Sequence, residues 1–171
     1  MLFLSLLSAI LLHESGHLFA LMLFRARIVT FRLSFFGITL CHTPLPSPFA
    51  SFLVAGFGPL FSILGYIVSQ YSVELHTFSL ISLMLGLFNL LPIATLDGEK
   101  ICKTLLSLLL SPTRAELCAT LISYTVLFCL WLIGGYLVLW LDASPSLFLL
   151  SVTLFLQNVR QNNKRNAKQK N

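Results

Sequence analysis

The sequence predicts an all-α polytopic membrane protein of about five transmembrane helices with a small membrane-associated β-hairpin, and three observations predict it. The 171 residues are 57% hydrophobic and only 10% charged, with a mean hydropathy of +0.89, a balance that no ordinary soluble domain of this length shows. Apolar runs of bilayer-crossing length recur along the chain. Between the first two, one segment alternates polar and apolar residues instead of turning at helical period. The formal charge of +5 comes from basic residues that flank the apolar runs and form no aromatic-interleaved face. They are topology signals rather than a nucleic-acid surface, and the partner implied is the lipid bilayer.

The first run, Met1 to Phe24, is long enough to cross a hydrocarbon core of about 30 Å. It has no basic leader and exceeds a signal peptide's apolar core, so it is expected to be retained. From about Ile28 to Cys41 the pattern alternates: Val29, Phe31, Leu33 and Phe35 on one side, Thr30, Arg32 and Ser34 on the other. After Gly37 the phase shifts to Ile38 and Leu40, as at a bent or turned strand. A hairpin is expected over about 28–41, with an irregular interfacial loop as the other reading, closed by Pro44, Pro46 and Pro48.

The second span is expected at about 49–71. Its Gly56, Gly58 and Ser62 allow neighbouring helices to approach closely, and Pro59 implies a kink. A third follows at about 78–93, after a link in which His76 reads as interfacial. The stretch from Glu99 to Ser111 suits an interfacial helix, and two accessory spans are placed at about 118–141 and 143–157. The polar tail from Gln157 onward is expected to be disordered. Cys41, Cys102, Cys118 and Cys129 are scattered without a CxxC pair, so they read as free thiols.

Charge parity orients these segments. If all five runs cross, the three segments on one side hold all 11 Lys and Arg residues, while the two opposite links hold Glu74 and Asp142. The positive-inside rule then puts the amino terminus outside and the basic tail, residues 159–171, in the cytoplasm. A multi-pass protein of the cell membrane is expected.

The first span carries His13, Glu14 and His17 as His-Glu-Ser-Gly-His. Residues i and i+4 share a helix face, so the two imidazoles can grip one metal ion. Glu14 lies one residue round from His13, close enough to handle a water at the metal without being a ligand. An ionised side chain at the middle of a spanning helix costs about 2.5–3.5 kcal/mol, so an incidental Glu14 is disfavoured. The pattern reads as a Zn2+ site. It needs a third ligand, and the best-placed candidate is Asp97, which follows the helix-breaking Pro92 in Asn89-Leu-Leu-Pro92-Ile-Ala-Thr-Leu96-Asp97-Gly98. Taken alone, Asp97-Gly98 also fits a plain turn. By charge parity, the site lies toward the cytoplasmic half of the bilayer.

With HExxH in a first span and NxxPxxxLDG in the third, the sequence resembles the site-2 protease family of intramembrane zinc metalloproteases, over a three-helix core of residues 1–98. Gly58 to Ser62 fits that family's GxxxN/S/G pattern. The resemblance implies zinc ligands His13, His17 and Asp97, a catalytic acid/base Glu14, and substrate contacts from the Asn89–Pro92 stretch, with Asn89 holding the substrate backbone. It also implies a clamp for a substrate strand in the hairpin. Small size makes the chain similar to the stage IV sporulation protein FB branch, whose substrate is a sigma-factor precursor. Read over these 171 residues, it is expected to depart from that branch in lacking a span before the HExxH helix and a nucleotide-sensing CBS domain, and from another branch in lacking a PDZ domain. The partners implied are a membrane-associated protein substrate and regulatory membrane proteins. The alternatives are a catalytically inactive relative that binds membrane proteins, and a metal transporter, which would need polar residues lining a path that spans four and five do not offer.

Overall fold

A computed structural model of the chain describes residues 2–26, 28–34, 37–42, 45, 47–140 and 145–169. They form six helices and two strands: α1 Leu2–Leu23, β1 Ile28–Ser34, β2 Gly37–His42, α2 Pro48–Ser69, α3 His76–Asn89, α4 Asp97–Leu109, α5 Pro112–Trp140 and α6 Ser146–Gln169. The chain divides into two compact units, Met1–Leu90 and Leu91–Asn171.

In the first unit α1 packs against α2 and α3, and α2 against α3. α1 and α2 each run 22 residues, about 33 Å of rise. Ser47 caps α2, its Oγ accepting the Ala50 amide at 3.1 Å, and Pro48 occupies the first turn where its missing N–H costs nothing. Small and polar residues point inward: Ala9, Gly16 and Ala20 on α1, Ala50, Ala55, Gly58 and Ser62 on α2, and Ser79, Ser82 and Gly86 on α3. Large apolar side chains point outward, among them Phe3, Met22, Leu64, Val68 and Met84. This inverts the pattern of a soluble fold and suits helices that meet lipid on the outside and close on one another through small residues. Gly16 permits such an approach, since a β-carbon there would collide with the carbonyl of Phe57.

β1 and β2 pair antiparallel, with Phe31 opposite Leu40 and Ser34 opposite Gly37. Residues 35–36, Pro44, Pro46 and residues 141–144 lie outside the described residues, so the expectations that fall on them are not addressed by the structure.

In the second unit α5 packs against α4 and α6. α5 starts at Pro112, six residues before the expected boundary, because Pro112 opens the helix and Lys103 Nζ on α4 pairs with Glu116 Oε1 at 2.9 Å. Hydropathy alone had placed that charged turn outside the span. The expected disorder beyond Gln157 gives way to helix through Gln169. The segment is rich in Gln, Arg, Lys and Ala, all good helix formers, and contains no Gly or Pro.

Among the described residues three helices are long and apolar enough to cross a membrane, α1, α2 and α5, where the sequence predicts about five. α3 has 14 residues, about 21 Å of rise against a core of about 30 Å. It stops at Asn89 rather than 93 because the residue before a proline avoids helical conformation and Pro92 cannot donate. α6 joins an apolar first half to a polar, basic second half.

Candidate metal and catalytic site

Within the first unit, α1 turns His13 and His17 inward, leaving them 4% and 8% exposed. Their ring centroids are 5.0 Å apart and the planes nearly perpendicular at 82°. Each ring is fixed by α2 through its Nδ1. The Nδ1 of His17 lies 2.7 Å from the carbonyl oxygen of Val54. A carbonyl only accepts, so this nitrogen carries the proton, and in the neutral imidazole the lone pair sits on Nε2. The Nδ1 of His13 lies 3.0 Å from Ser62 Oγ. Both Nε2 atoms face Gly58, where a β-carbon would run into Nε2 and Cε1 of His17 and stand 3.0 Å from Nε2 of His13.

This is how metal-ligating histidines are held: the far nitrogen is anchored, which sets both ring angles and, at His17, the tautomer before the ion arrives. The Val54 carbonyl is a partner that the motif reading missed, and Ser62, matched there only as part of a pattern, was given no role. Gly58 and Ser62, four apart on one face of α2, were the available signal, although close packing was the simpler reading of the glycine. The neighbouring Gly56 has nothing within 4 Å of a β-carbon position. Pro59 follows Gly58 and denies the carbonyl of Ala55 its helical donor, beside the Val54 carbonyl that takes His17. Glu14 is half-buried on the same helix. Asn89, at the last turn of α3, donates its Nδ2 to the carbonyl of Leu85 at 2.9 Å.

Within the second unit, Pro92 is half-exposed and Asp97 opens α4, 6% exposed. Asp97 and Glu99 both lie in the first turn, where the helix dipole favours negative charge. Lys100 Nζ meets Asp97 Oδ1 at 3.0 Å. The loop before it is irregular and buried: Ile93, Ala94 and Leu96 are 3% exposed or less, and Thr95 holds a φ of 96°, a left-handed region that β-branched residues rarely enter.

The two imidazoles that α1 turns to one face, His13 and His17, are donors that suit zinc, and Asp97 of the second unit offers a carboxylate, a donor of the same class. The anchored rings and the side-chain-free cradle at Gly58 fit a zinc ion.

The comparisons with known proteins agree. Residues 68–133 match the model of peptidase family M50. The solved structure of the site-2 protease from Methanocaldococcus jannaschii aligns with a TM-score of 0.70 at 27% sequence identity, covering 93% of this chain and 76% of that chain. The chain is similar to a site-2 protease. No curated protein sequence gives a significant match. The segment matched by the family model carries Asn89, Pro92 and Asp97 and lies downstream of His13 to His17. Together the site-2 protease likeness and the M50 match support an intramembrane metalloprotease; neither supports the sporulation branch in particular.

Proposed function

We propose that this chain is an intramembrane zinc metalloprotease that hydrolyses a peptide bond in or near the transmembrane segment of a membrane-associated protein. The observation that carries this reading is the paired anchoring of His13 and His17 with both Nε2 atoms on Gly58, one residue from a half-buried Glu14. His13, His17 and Asp97 would hold the ion. Zinc there would supply Lewis acidity, lowering the pKa of a water and polarising a carbonyl. Glu14 takes the water's proton and passes it to the leaving amine. A low-dielectric setting strengthens each of these interactions.

A peptide bond in a membrane helix is sealed by its own hydrogen bonds, so the substrate must unwind first. The edge of the β1–β2 hairpin is the clamp: strand addition there replaces the lost bonds and exposes the carbonyl. Asn89 and Pro92 flank the bound segment. The amino terminus lies outside, the basic tail inside, and the site toward the cytoplasmic half, as the charge parity favours. Such placement suits regulated proteolysis that releases a membrane-held transcription factor, with a sigma factor as one form of cargo.

Replacing Glu14 with Gln, in cells co-expressing a candidate membrane substrate, should abolish cleavage while bound zinc is retained. Undiminished cleavage sinks the role of Glu14. A wild-type chain that captures membrane proteins and cuts none points to an inactive relative.

A further inference from the structure

The helices beyond the core hold a buried polar chain that the proposed chemistry does not use. Asn158, on the last helix, is 2% exposed and donates Nδ2 to Ser123 Oγ at 2.7 Å. Ser123, on α5, is 1% exposed, and its Oγ also accepts the backbone amide of Ala94 at 2.9 Å. A serine hydroxyl has two acceptor sites, and both are used. Ala94 stands two residues after the helix-breaking Pro92 and three before Asp97.

Irregular backbone at membrane depth survives only where its polar groups are satisfied from neighbouring elements. In this loop the Ile93 amide bonds back to Leu91 at 2.8 Å and the Leu96 amide to Ile93 at 3.0 Å. Ala94 differs, since its partner is a side chain 29 residues away. That contact ties the loop to α5, and Asn158 ties the same oxygen to α6. Thr95, the next residue, sits at φ 96°, and a strained backbone of this kind persists only where its surroundings over-determine it.

We propose that Ser123 and Asn158 are positioning residues for Asp97, and that α5 and α6 thereby set the geometry of the third metal ligand. This rests on the reading of Asp97 as a ligand. Only Thr95 and Leu96 separate the pinned amide from Asp97, so a loop released at Ala94 lets Asp97 sample many directions. Outer partners of metal ligands typically change metal affinity about 10- to 100-fold when removed.

The test uses the full-length protein in detergent with zinc as the probe, reading chelator-competed affinity and amide exchange at Ala94. Ser123→Ala should weaken zinc binding about tenfold or more and accelerate exchange at Ala94, with exchange in α1 to α3 unchanged. Ser123→Thr, which keeps the hydroxyl, should restore both. Ser151→Ala removes an equally buried hydroxyl that bonds only within its own helix, to the carbonyl of Phe148, and should move neither. Should Ser123→Ala not fold, Asn158→Leu carries the same two readouts. Wild-type zinc affinity in the folded variant overturns the proposal, as does a protected Ala94. His13→Ala is the separate control: unchanged zinc affinity there overturns the metal-site reading itself, whatever happens at Ala94.

Discussion

Gly58 lies against the Nε2 edge of His17, at a place where no β-carbon fits. The obstacle is a ring held from behind by the carbonyl of Val54, so it cannot simply swing aside. Gly58→Ala should therefore push His17 off its anchored position and lower zinc affinity and cleavage by at least tenfold. Gly56→Ala is the matched control. With open space around it, it should leave both unchanged and gain up to about 1 kcal/mol of helix stability. Zinc content after dialysis, measured on both variants, decides the matter, and equal retention would contradict the cradle.

Ser62 is the outer partner of His13, fully buried and 3.0 Å from its Nδ1. Removing its oxygen takes away the partner that holds the angle of that ring. Ser62→Ala is expected to reduce zinc affinity about tenfold, the lower end of what such partners are worth. Its place under Gly86, whose β-carbon position is 3.0 Å from Ser62 Cβ, argues against testing with anything larger. Competition with a chelator of known affinity reads the effect directly.

His13, Glu14, His17 and Asp97 stand out in the sequence as candidates because ligand spacing on a helix and a carboxylate after a proline are one-dimensional patterns. The spans α1 and α2 were legible for the same reason, since their lengths follow from runs of apolar residues. The bond from Ser62 to His13, the Val54 carbonyl, Ser123 and Asn158 were not, because a bond between two helices leaves no fixed spacing in the chain. Gly56 and Gly58 look alike in composition, and only the phase of α2 separates the one in open space from the one beneath the histidines. Helix ends were the other weak point. The charged turn of Arg114 and Glu116 lowers hydropathy but satisfies itself through Lys103, and the polar half of α6 continues a helix whose first half is packed.

Thr95 offers a test of loop strain independent of the metal. Its φ of 96° places a β-branched side chain where the backbone costs about 1–3 kcal/mol. Glycine accepts that region freely, against an entropic cost of up to about 1 kcal/mol. Thr95→Gly should thus stabilise the protein, by about 1 kcal/mol, and raise its thermal unfolding midpoint. A lowered midpoint would show that the threonine side chain contributes more than its backbone costs.

Cys102, half-buried on α4, has its thiol pushed above the ordinary 9.0, first by burial and then by the carboxylate of Glu99. Both causes disfavour the thiolate. The folded protein therefore holds this proton at pH values where the unfolded chain has lost it. Above pH 9.0 the unfolded state binds fewer protons than the folded one, so the contribution of Cys102 to stability falls as pH rises. Alkylation of Cys102, followed site by site by mass spectrometry, should be slow at neutral pH and keep accelerating past pH 9.0. Glu99→Gln should speed it only modestly, because burial is the larger cause. A labelling rate that levels off by pH 9.0 would show that the thiol is not pushed upward, and a rate that Glu99→Gln raises to that of a free thiol would assign the shift to charge rather than to burial.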